Sequence, residues 1–154
     1  MSALRAAITK RRLEVRVEQM ERRICRDYLG RTLDVVVVLE NAFLFASNLI
    51  REISSPVACD FVRSETREVR LAGRNYWEIF FSPPPEVRGR DVLVVDAIRN
   101  TGVAQDFLLK RLEEGWPRSL CLAVLFDKLA ARRVHVRAEY TGLDAASKGW
   151  VRIE

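Results

Sequence analysis

A carboxylate, an amide and a hydroxyl follow a short apolar run in the middle of the chain, in an order suited to binding an anionic ligand. The run Val92–Val95 leads into Asp96, and Asn100, Thr101 and Gly102 come shortly after it. The run predicts a buried strand of a parallel sheet, and the Thr-Gly turn predicts the start of a helix. Open α/β sheets bind ligands where strands end in this way, and helix N-termini attract phosphate. The motif therefore predicts a ligand site at the carboxyl edge of a sheet.

The apolar periodicity of the rest of the chain predicts the elements that hold this motif. We expect helices over Ile8–Leu29, Phe43–Ile50 and Gln105–Glu114. We expect further strands over Leu33–Leu39, Val57–Val62, Glu68–Leu71, Tyr76–Phe81, Leu120–Phe126 and Val134–Tyr140. This order of strands and helices predicts an α/β fold with a mainly parallel central sheet flanked by helices.

The length of the chain suits one domain, and its hydrophobic fraction of 49% supports a real core. We expect a single domain over residues 1–154, with a basic helix within 1–31 and a hairpin with a stiff Pro-rich connector within 64–90. No apolar run is long enough to span a membrane, and the N-terminus is too charged for a secretory signal. These features predict a cytoplasmic protein without a membrane partner.

Cysteine and histidine content limits the chemistry that is available. Cys25, Cys59 and Cys121 lack metal-ligand spacing, which predicts reduced thiols. His135 is the only histidine, so neither a histidine-based catalytic triad nor a multi-histidine metal site can form.

The net charge of +5 comes from the N-terminal helix, because residues 1–31 carry nine Lys/Arg against four Asp/Glu and the remainder is balanced. Such a cluster could contact nucleic-acid phosphates. Acidic residues interleave with the basic ones, however, and Glu18 stands four residues before Arg22 in a favourable helical pair. The pattern favours a solvated or subunit-contacting helix over a nucleic-acid surface. The basic residues concerned are Arg11, Arg12, Arg22, Arg23 and Arg26.

The motif VLVVDAIRNTGVA at Val92–Ala104 resembles the phosphoribosyl pyrophosphate (PRPP) motif of type I phosphoribosyltransferases. In that family an apolar strand runs into two adjacent acids, two apolar residues, Asp-Ser/Thr-Gly and a further Thr. The resemblance extends along nearly the whole chain and is to the hypoxanthine/guanine branch. It implies a Rossmann-like phosphoribosyltransferase domain with a small hood formed by the hairpin, and a function in purine salvage.

Within this motif the resemblance gives Asp96 the place of the first ribose-binding acid and gives Thr101 and Gly102 the turn that holds the 5′-phosphate. Ala97 stands in place of the second acid, and Asn100 in place of the acid that manages the proton on the incoming base. An amide cannot accept a proton at neutral pH, so Asn100 can orient a ligand but cannot act as a general base. Losing that acid alone should slow chemistry by roughly 10²–10⁴-fold.

The pyrophosphate loop of the family is matched by Leu39 and Glu40, where the family cation has become an anion. A carboxylate next to pyrophosphate is repulsive unless Mg²⁺ lies between them, which implies Mg²⁺ as a cofactor, with Asp96 as its candidate ligand. Lys128 matches the family lysine that recognises the 6-oxo group of the purine. Trp150 is positioned in the sequence to supply a ring that stacks on the base.

Each of these residues also has a structural interpretation. Asp96 could be a strand-end acid that caps the next turn, and Thr101 and Gly102 could be only a turn and a helix cap. Lys128 could be a solvated lysine, and Trp150 an edge or interface aromatic.

The changed positions lead to the expectation of a phosphoribosyltransferase-like protein that is catalytically impaired or inactive. Such a protein would bind a nucleotide or PRPP as a sensor, or serve as a subunit of an active relative, as a homodimer or a heteromer. The alternative is a working 6-oxopurine phosphoribosyltransferase in which Asp96 and Glu40 hold Mg²⁺ and PRPP. A third hypothesis is nucleic-acid binding through the basic helix.

Overall fold

Six strands and three α-helices make up residues 8–145, the part of the chain that this computed structural model describes. Their bounds, in chain order, are α1 (Lys10–Asp27), β1 (Leu33–Leu39), α2 (Phe43–Glu52), β2 (Val57–Leu71), β3 (Arg74–Phe81), β4 (Asp91–Arg99), α3 (Val103–Glu113), β5 (Ser119–Asp127) and β6 (Tyr140–Asp144), with a 3₁₀ turn over Leu129–Ala131. None of the helices within 8–145 is long and apolar enough to cross a bilayer.

The strands form one sheet in the order β3-β2-β1-β4-β5-β6. All neighbouring pairs are parallel except β2 and β3, which are antiparallel. The predicted α/β domain with a mainly parallel sheet is confirmed. Strands β1 and β4 are buried along almost their whole length because helices cover both faces of the sheet.

Successive side chains of β1 enter two different cores, as the period of two requires. Val35 and Val37 pack with Ile24 of α1 and Leu49 of α2 on one face. Val36 packs on the other face with residues of β4 and α3. The four consecutive valines of β1 are therefore explained by burial on both sides of the sheet.

Strand β2 pairs with two different strands along its length. Its first half pairs with β1, and its second half, from Ser64 onward, pairs with β3 to form the hairpin. Ala72 and Gly73 both have positive φ values, 49° and 77°, as a two-residue hairpin turn requires. The prediction of separate strands over Val57–Val62 and Glu68–Leu71 is wrong in one respect, because both ranges belong to the single strand β2. No glycine or proline lies between them to end the strand.

The prediction of a strand over Val134–Tyr140 is wrong, because β6 begins only at Tyr140. The backbone of the preceding segment bonds elsewhere. The Val134 N–H donates to the Thr101 carbonyl at 3.0 Å, and the Val136 carbonyl accepts from the Arg99 guanidinium. Val136 is nevertheless buried against the α3 side of the sheet. The apolar alternation of this segment therefore predicts its burial correctly, although the segment does not pair with a strand of the sheet.

Helix α1 starts one residue after Thr9, whose hydroxyl accepts from the Arg12 N–H. Two of its arginines hold the helix against β6 and the segment before it. The Arg16 Nε donates to the Gly142 carbonyl at 2.9 Å, and the Arg23 guanidinium lies 5.1 Å from the centre of the Tyr140 ring. Part of the positive charge of α1 is therefore used in packing within the domain. Cys25, Cys59 and Cys121 are free thiols, as predicted.

Glu21 of α1 is a largely buried glutamate that lies near two other carboxylates, those of Glu52 and Glu18. Only 8% of the residue is exposed, and no ion pair among residues 8–145 includes it. Burial, with repulsion from Glu52 and Glu18, raises the pKa of Glu21 from 4.5 to about 6. The folded chain thus binds this proton more tightly than the unfolded chain does, so the buried charge begins to cost stability as the pH rises above 4.5 and costs most above 6.

We therefore expect Glu21→Gln to raise the free energy of unfolding above pH 6 and to leave it nearly unchanged below pH 4.5. Urea unfolding at pH 4 and pH 7.5 measures both values. The exposed Glu14→Gln is the control on the same helix. An equal gain at both pH values would contradict the assignment of the penalty to the ionised carboxylate.

Candidate functional site

The carboxyl ends of three adjacent strands bring the predicted site residues to one edge of the sheet. Glu40 follows β1, Asn100 follows β4 and Lys128 follows β5. These strands are neighbours in the order β1-β4-β5, so their ends are separated by about 4.8 Å from one strand to the next. Glu40 and Lys128 therefore follow strands that end at the same edge of the sheet, although they are 88 positions apart in the sequence.

Asp96 lies in the carboxyl-terminal half of β4, on the face of the sheet that α3 covers. Its carboxylate accepts from the Gln105 Nε2 at 2.8 Å and from the Ala97 N–H at 2.7 Å. Burial raises the pKa of Asp96, while the Gln105 hydrogen bond acts in the opposite direction. The acid thus ties the end of β4 to the first turns of α3, which is the structural interpretation of this residue. A carboxylate has about four lone-pair sites, so acceptor capacity remains for a ligand.

Ala97, in the place of the second acid, points to the opposite face and is only 7% exposed. It belongs to the apolar core shared with Phe45 and Ala46 of α2. An ionised carboxylate at this position would have to be desolvated in apolar surroundings, which is costly. The surroundings of Ala97 therefore suit the alanine and not the acid of the family pattern.

The turn between β4 and α3 has the geometry of an anion site. Gly102 has a φ of +84°, and a Cβ there would lie 2.8 Å from the Val134 carbonyl oxygen, so only glycine fits. Helix α3 begins at Val103, and its first N–H groups have no partner within the helix. The Thr101 hydroxyl accepts one of them, from Val103, at 3.3 Å. The turn can present the remaining N–H groups to a phosphate.

Asn100 is the exposed residue of this turn. It stands directly beyond the last residue of β4, so its amide is accessible at the edge where the ligand is expected. An amide can donate and accept hydrogen bonds but holds no charge.

A buried ion network that sequence reasoning missed lies beside this turn. Arg99 and Asp127 are opposite each other on β4 and β5, each 3% exposed at its side chain, and form two hydrogen bonds, one of them 3.0 Å long. Arg132 contacts the same carboxylate. Burial alone would raise the pKa of Asp127, but Arg99 and then Arg132 outweigh it and lower that pKa. The available signal in the sequence was a charged residue shortly after each of two apolar runs, Arg99 after Val92–Val95 and Asp127 after Leu120–Phe126. The register that pairs them is seen only in the structure.

A main-chain hydrogen bond next to this network holds the backbone of Lys128. Its N–H donates to the Arg99 carbonyl at 2.9 Å, and the residue is 8% exposed. No ion pair within the described part of the chain includes Lys128. A lysine that is largely covered at a strand end is not the solvated lysine of the structural interpretation. Trp150, the predicted stacking ring, lies outside the described residues.

The loop after β1 carries its anion next to a cation from the neighbouring strand. Leu39 is half-buried, and the peptide bond between Leu39 and Glu40 is cis. An oxygen of the Glu40 carboxylate lies 3.6 Å from the Arg63 guanidinium on β2. The anion predicted to repel a phosphate is therefore partly neutralised.

The donor set at this edge does not fit a resident Mg²⁺. Residues 8–145 contain no group of three His, Cys, Asp or Glu side chains that could hold a metal ion. The two candidate carboxylates lie apart, Asp96 on β4 and Glu40 in the loop after β1, and each already has a partner, Gln105 for Asp96 and Arg63 for Glu40. Mg²⁺ is commonly carried by substrate phosphates with one or two carboxylates. Any Mg²⁺ here would be bound mainly by the ligand.

Comparison with known proteins agrees with this geometry over nearly the full chain. The sequence profile of the phosphoribosyl transferase domain matches residues 6–152. The hypoxanthine-guanine phosphoribosyltransferase of Mycobacterium avium is 28% identical over 143 residues, covering 89% of this chain and 70% of that protein. The protein of the same name from Dictyostelium discoideum is 29% identical over 140 residues, covering 88% and 78%.

Solved structures give the same result. A hypoxanthine-guanine phosphoribosyltransferase from Bacillus anthracis superposes with a TM-score of 0.75 at 28% identity, covering 94% of this chain and 84% of that one. The hypoxanthine phosphoribosyltransferase of Trypanosoma cruzi in complex with the product IMP superposes with a TM-score of 0.77 at 25% identity, covering 94% and 82%. With its fold, its carboxyl-edge turn and a profile match over most of its length, the chain belongs to the phosphoribosyl transferase domain family.

Proposed function

We propose that this chain is a purine-salvage-type phosphoribosyltransferase relative that binds PRPP or a nucleotide 5′-phosphate and is impaired in base transfer. The observation that carries the proposal is the turn between β4 and α3. Its phosphate-facing half, Gly102 at the start of α3, keeps the required backbone, while its proton-handling half is an amide, Asn100.

Ligand binding is supported by the backbone geometry of this turn. The positive φ of Gly102 and its close approach to the Val134 carbonyl allow α3 to begin directly beyond β4. Helix N-termini in this position attract phosphate through their N–H groups and dipole. In the proposal Asp96 holds a ribose hydroxyl through its remaining lone pairs, and Lys128 contacts the oxo group of a purine.

Impaired chemistry is supported by the two changed acids. Asn100 cannot take the proton from a base at neutral pH. Ala97 offers no charge, and its apolar surroundings would oppose one. A protein with these changes can bind and report a nucleotide as a sensor, or can serve as a subunit of an active relative, in a homodimer or heteromer.

A second candidate function is that of a working 6-oxopurine phosphoribosyltransferase. The Glu40–Arg63 pair favours it, because a cation remains at the loop after β1. The similarity to relatives named hypoxanthine-guanine phosphoribosyltransferase over 88–89% of the chain also favours it. The two candidates share a ligand and differ in turnover, so binding is tested first.

Calorimetric titration with PRPP and Mg²⁺, and with guanosine and inosine monophosphates, tests the ligand site. We expect saturable binding, and we expect Asp96→Asn to weaken PRPP binding about 10-fold, the loss of one charge-assisted hydrogen bond. The asparagine oxygen can accept from only one of the two donors that Asp96 now accepts from, Gln105 Nε2 and the Ala97 N–H. The melting temperature is therefore measured beside the affinity, to separate lost binding from lost stability. Asp60→Asn, in the half of β2 that pairs with β1 and level with Val36 instead of the carboxyl edge, is the matched control.

Each result of the titration has a different meaning for the proposed site. Absence of binding of all three ligands to a folded sample would overturn the proposed site. Binding that Asp96→Asn leaves unchanged would remove Asp96 from the site and leave it the structural role of tying β4 to α3.

A further inference from the structure

Arg63 occupies a position in the fold that its ion pair alone does not explain. Its guanidinium lies 3.6 Å from the Glu40 carboxylate, but the side chains are 59% and 79% exposed. Exposed pairs of this kind contribute about 0–1 kcal/mol, so fold stability gains little from it. A guanidinium has five donors, and one contact at this distance leaves most of them available.

The backbone of Arg63 is held firmly while its side chain remains free to reach a ligand. Its N–H donates to the Ser82 hydroxyl at 2.9 Å, and its carbonyl accepts from the Ser82 N–H at 2.9 Å. In the sheet register Arg63 is level with Leu39, the last residue of β1. Ser64, the next residue, already pairs with β3. Arg63 thus stands at the corner between the sheet and the hairpin, beside the loop after β1.

The distance from this corner to the phosphate turn suits a ligand with an anion at each end. Strand β2 is two positions from β4 in the sheet order, which corresponds to about 10 Å. A sugar bearing a 5′-phosphate and a diphosphate has its two anionic groups separated by the sugar ring. With the 5′-phosphate at Gly102, a ligand that extends across β1 brings its diphosphate to the ends of β1 and β2, where Glu40 and Arg63 lie.

The charges at that end require a cation. Glu40 occupies the loop that would meet the diphosphate, and an unpaired carboxylate there would repel it. Arg63 is the cation that the described residues place against Glu40. Its planar fork of donors matches phosphate oxygens, and it stays charged at any working pH.

We infer that Arg63 is the diphosphate-binding cation of this chain, supplied by β2 in place of the loop cation. The inference rests on the proposed function, since it concerns one end of the same ligand. It assigns the substrate class more narrowly: a sugar phosphate with a diphosphate at the far end binds more tightly than one with the 5′-phosphate alone.

The test compares Arg63→Gln with Arg67→Gln. Arg67 is on the same strand, is also paired with a glutamate, Glu65, and is 61% exposed, so it is a close match. We expect Arg63→Gln to weaken PRPP binding about 10- to 100-fold, the range for losing charge-assisted hydrogen bonds, while Arg67→Gln changes it less than about 2-fold. Calorimetry with PRPP and Mg²⁺ measures both affinities.

Two further measurements distinguish a specific contact from a general change of charge. Guanosine monophosphate has no diphosphate, so Arg63→Gln should leave its affinity unchanged. Glu40→Gln should strengthen PRPP binding several-fold, since it removes repulsion and releases Arg63.

The results separate the inference from the function that it rests on. If the unaltered protein does not bind PRPP, the proposed function has failed. If it binds PRPP and Arg63→Gln binds equally well, or if Arg63→Gln weakens PRPP and guanosine monophosphate by the same factor, the assignment of Arg63 is overturned. Equal melting temperatures of the variants, expected for exposed side chains, show that each remains folded.

Discussion

Asp127→Ala is expected to lower the free energy of unfolding by about 3–5 kcal/mol, the largest stability effect that we predict for this chain. The carboxylate is 3% exposed and is shared by Arg99 and Arg132. Removing it leaves the Arg99 guanidinium, also 3% exposed, without a counter-charge. An uncompensated buried charge is far more costly than the intact pair is stabilising. For a chain of this length the melting temperature should fall by about 6–20 °C.

Acid provides a second measurement of the same contact. The two arginines hold the pKa of Asp127 below its ordinary value of 3.8, so the folded state binds this proton more weakly than the unfolded state does. The stabilisation from Asp127 is therefore present at pH values above 3.8 and is lost as the pH falls through the lowered pKa. The difference between the unaltered protein and Asp127→Ala should shrink in strong acid.

Urea unfolding at neutral pH and at decreasing acidic pH measures both effects. Glu114→Ala removes an exposed partner of Arg111, with side chains 58% and 67% exposed, and should cost no more than about 1 kcal/mol. A loss from Asp127→Ala no greater than that of Glu114→Ala would show that the buried network does not stabilise the fold.

The elements of the fold could be predicted because their signals are local. The apolar runs of β1 and β4 are continuous, which is typical of strands covered on both faces. The helical period of α1 is equally clear. The alternation of Val134–Tyr140 misled the strand prediction because an extended chain that packs on a core has the same period as a strand in a ladder. Only the backbone partners distinguish them, and these come from Thr101 and Arg99.

The site could be predicted only in part because its contacts depend on the register between strands that are distant in the sequence. Thr101 and Gly102 belong to one motif, so the turn that they form before α3 could be predicted directly. The contact between Glu40 and Arg63 exists because β1 and β2 are in register at Leu39. The Arg99–Asp127 pair depends in the same way on the register of β4 and β5. No local pattern specifies these registers.

Asn100→Asp is expected to raise the rate of base transfer from PRPP to a 6-oxopurine by about 10²–10⁴-fold, the usual contribution of a general base. Asn100 is exposed at the end of β4, so a carboxylate there is hydrated and stays ionised at neutral pH. It can accept the proton from the ring nitrogen of the purine as that nitrogen bonds to the ribose carbon and diphosphate leaves. The same substitution at Ala97 would place the charge in the apolar core and test stability instead.

The control is Asn48→Asp, which adds the same charge at an exposed position of α2. Steady-state formation of guanosine monophosphate from guanine and PRPP gives the rates, with PRPP affinity measured in parallel. Added negative charge should weaken PRPP binding slightly in Asn100→Asp, so the gain should be in kcat and not in KM. Since a base acts only on the chemical step, a gain confined to Asn100→Asp would locate the impairment at that residue. If the unaltered protein already turns over within about 10-fold of the variant, the chain works as an enzyme without that acid, and the second candidate function replaces the first.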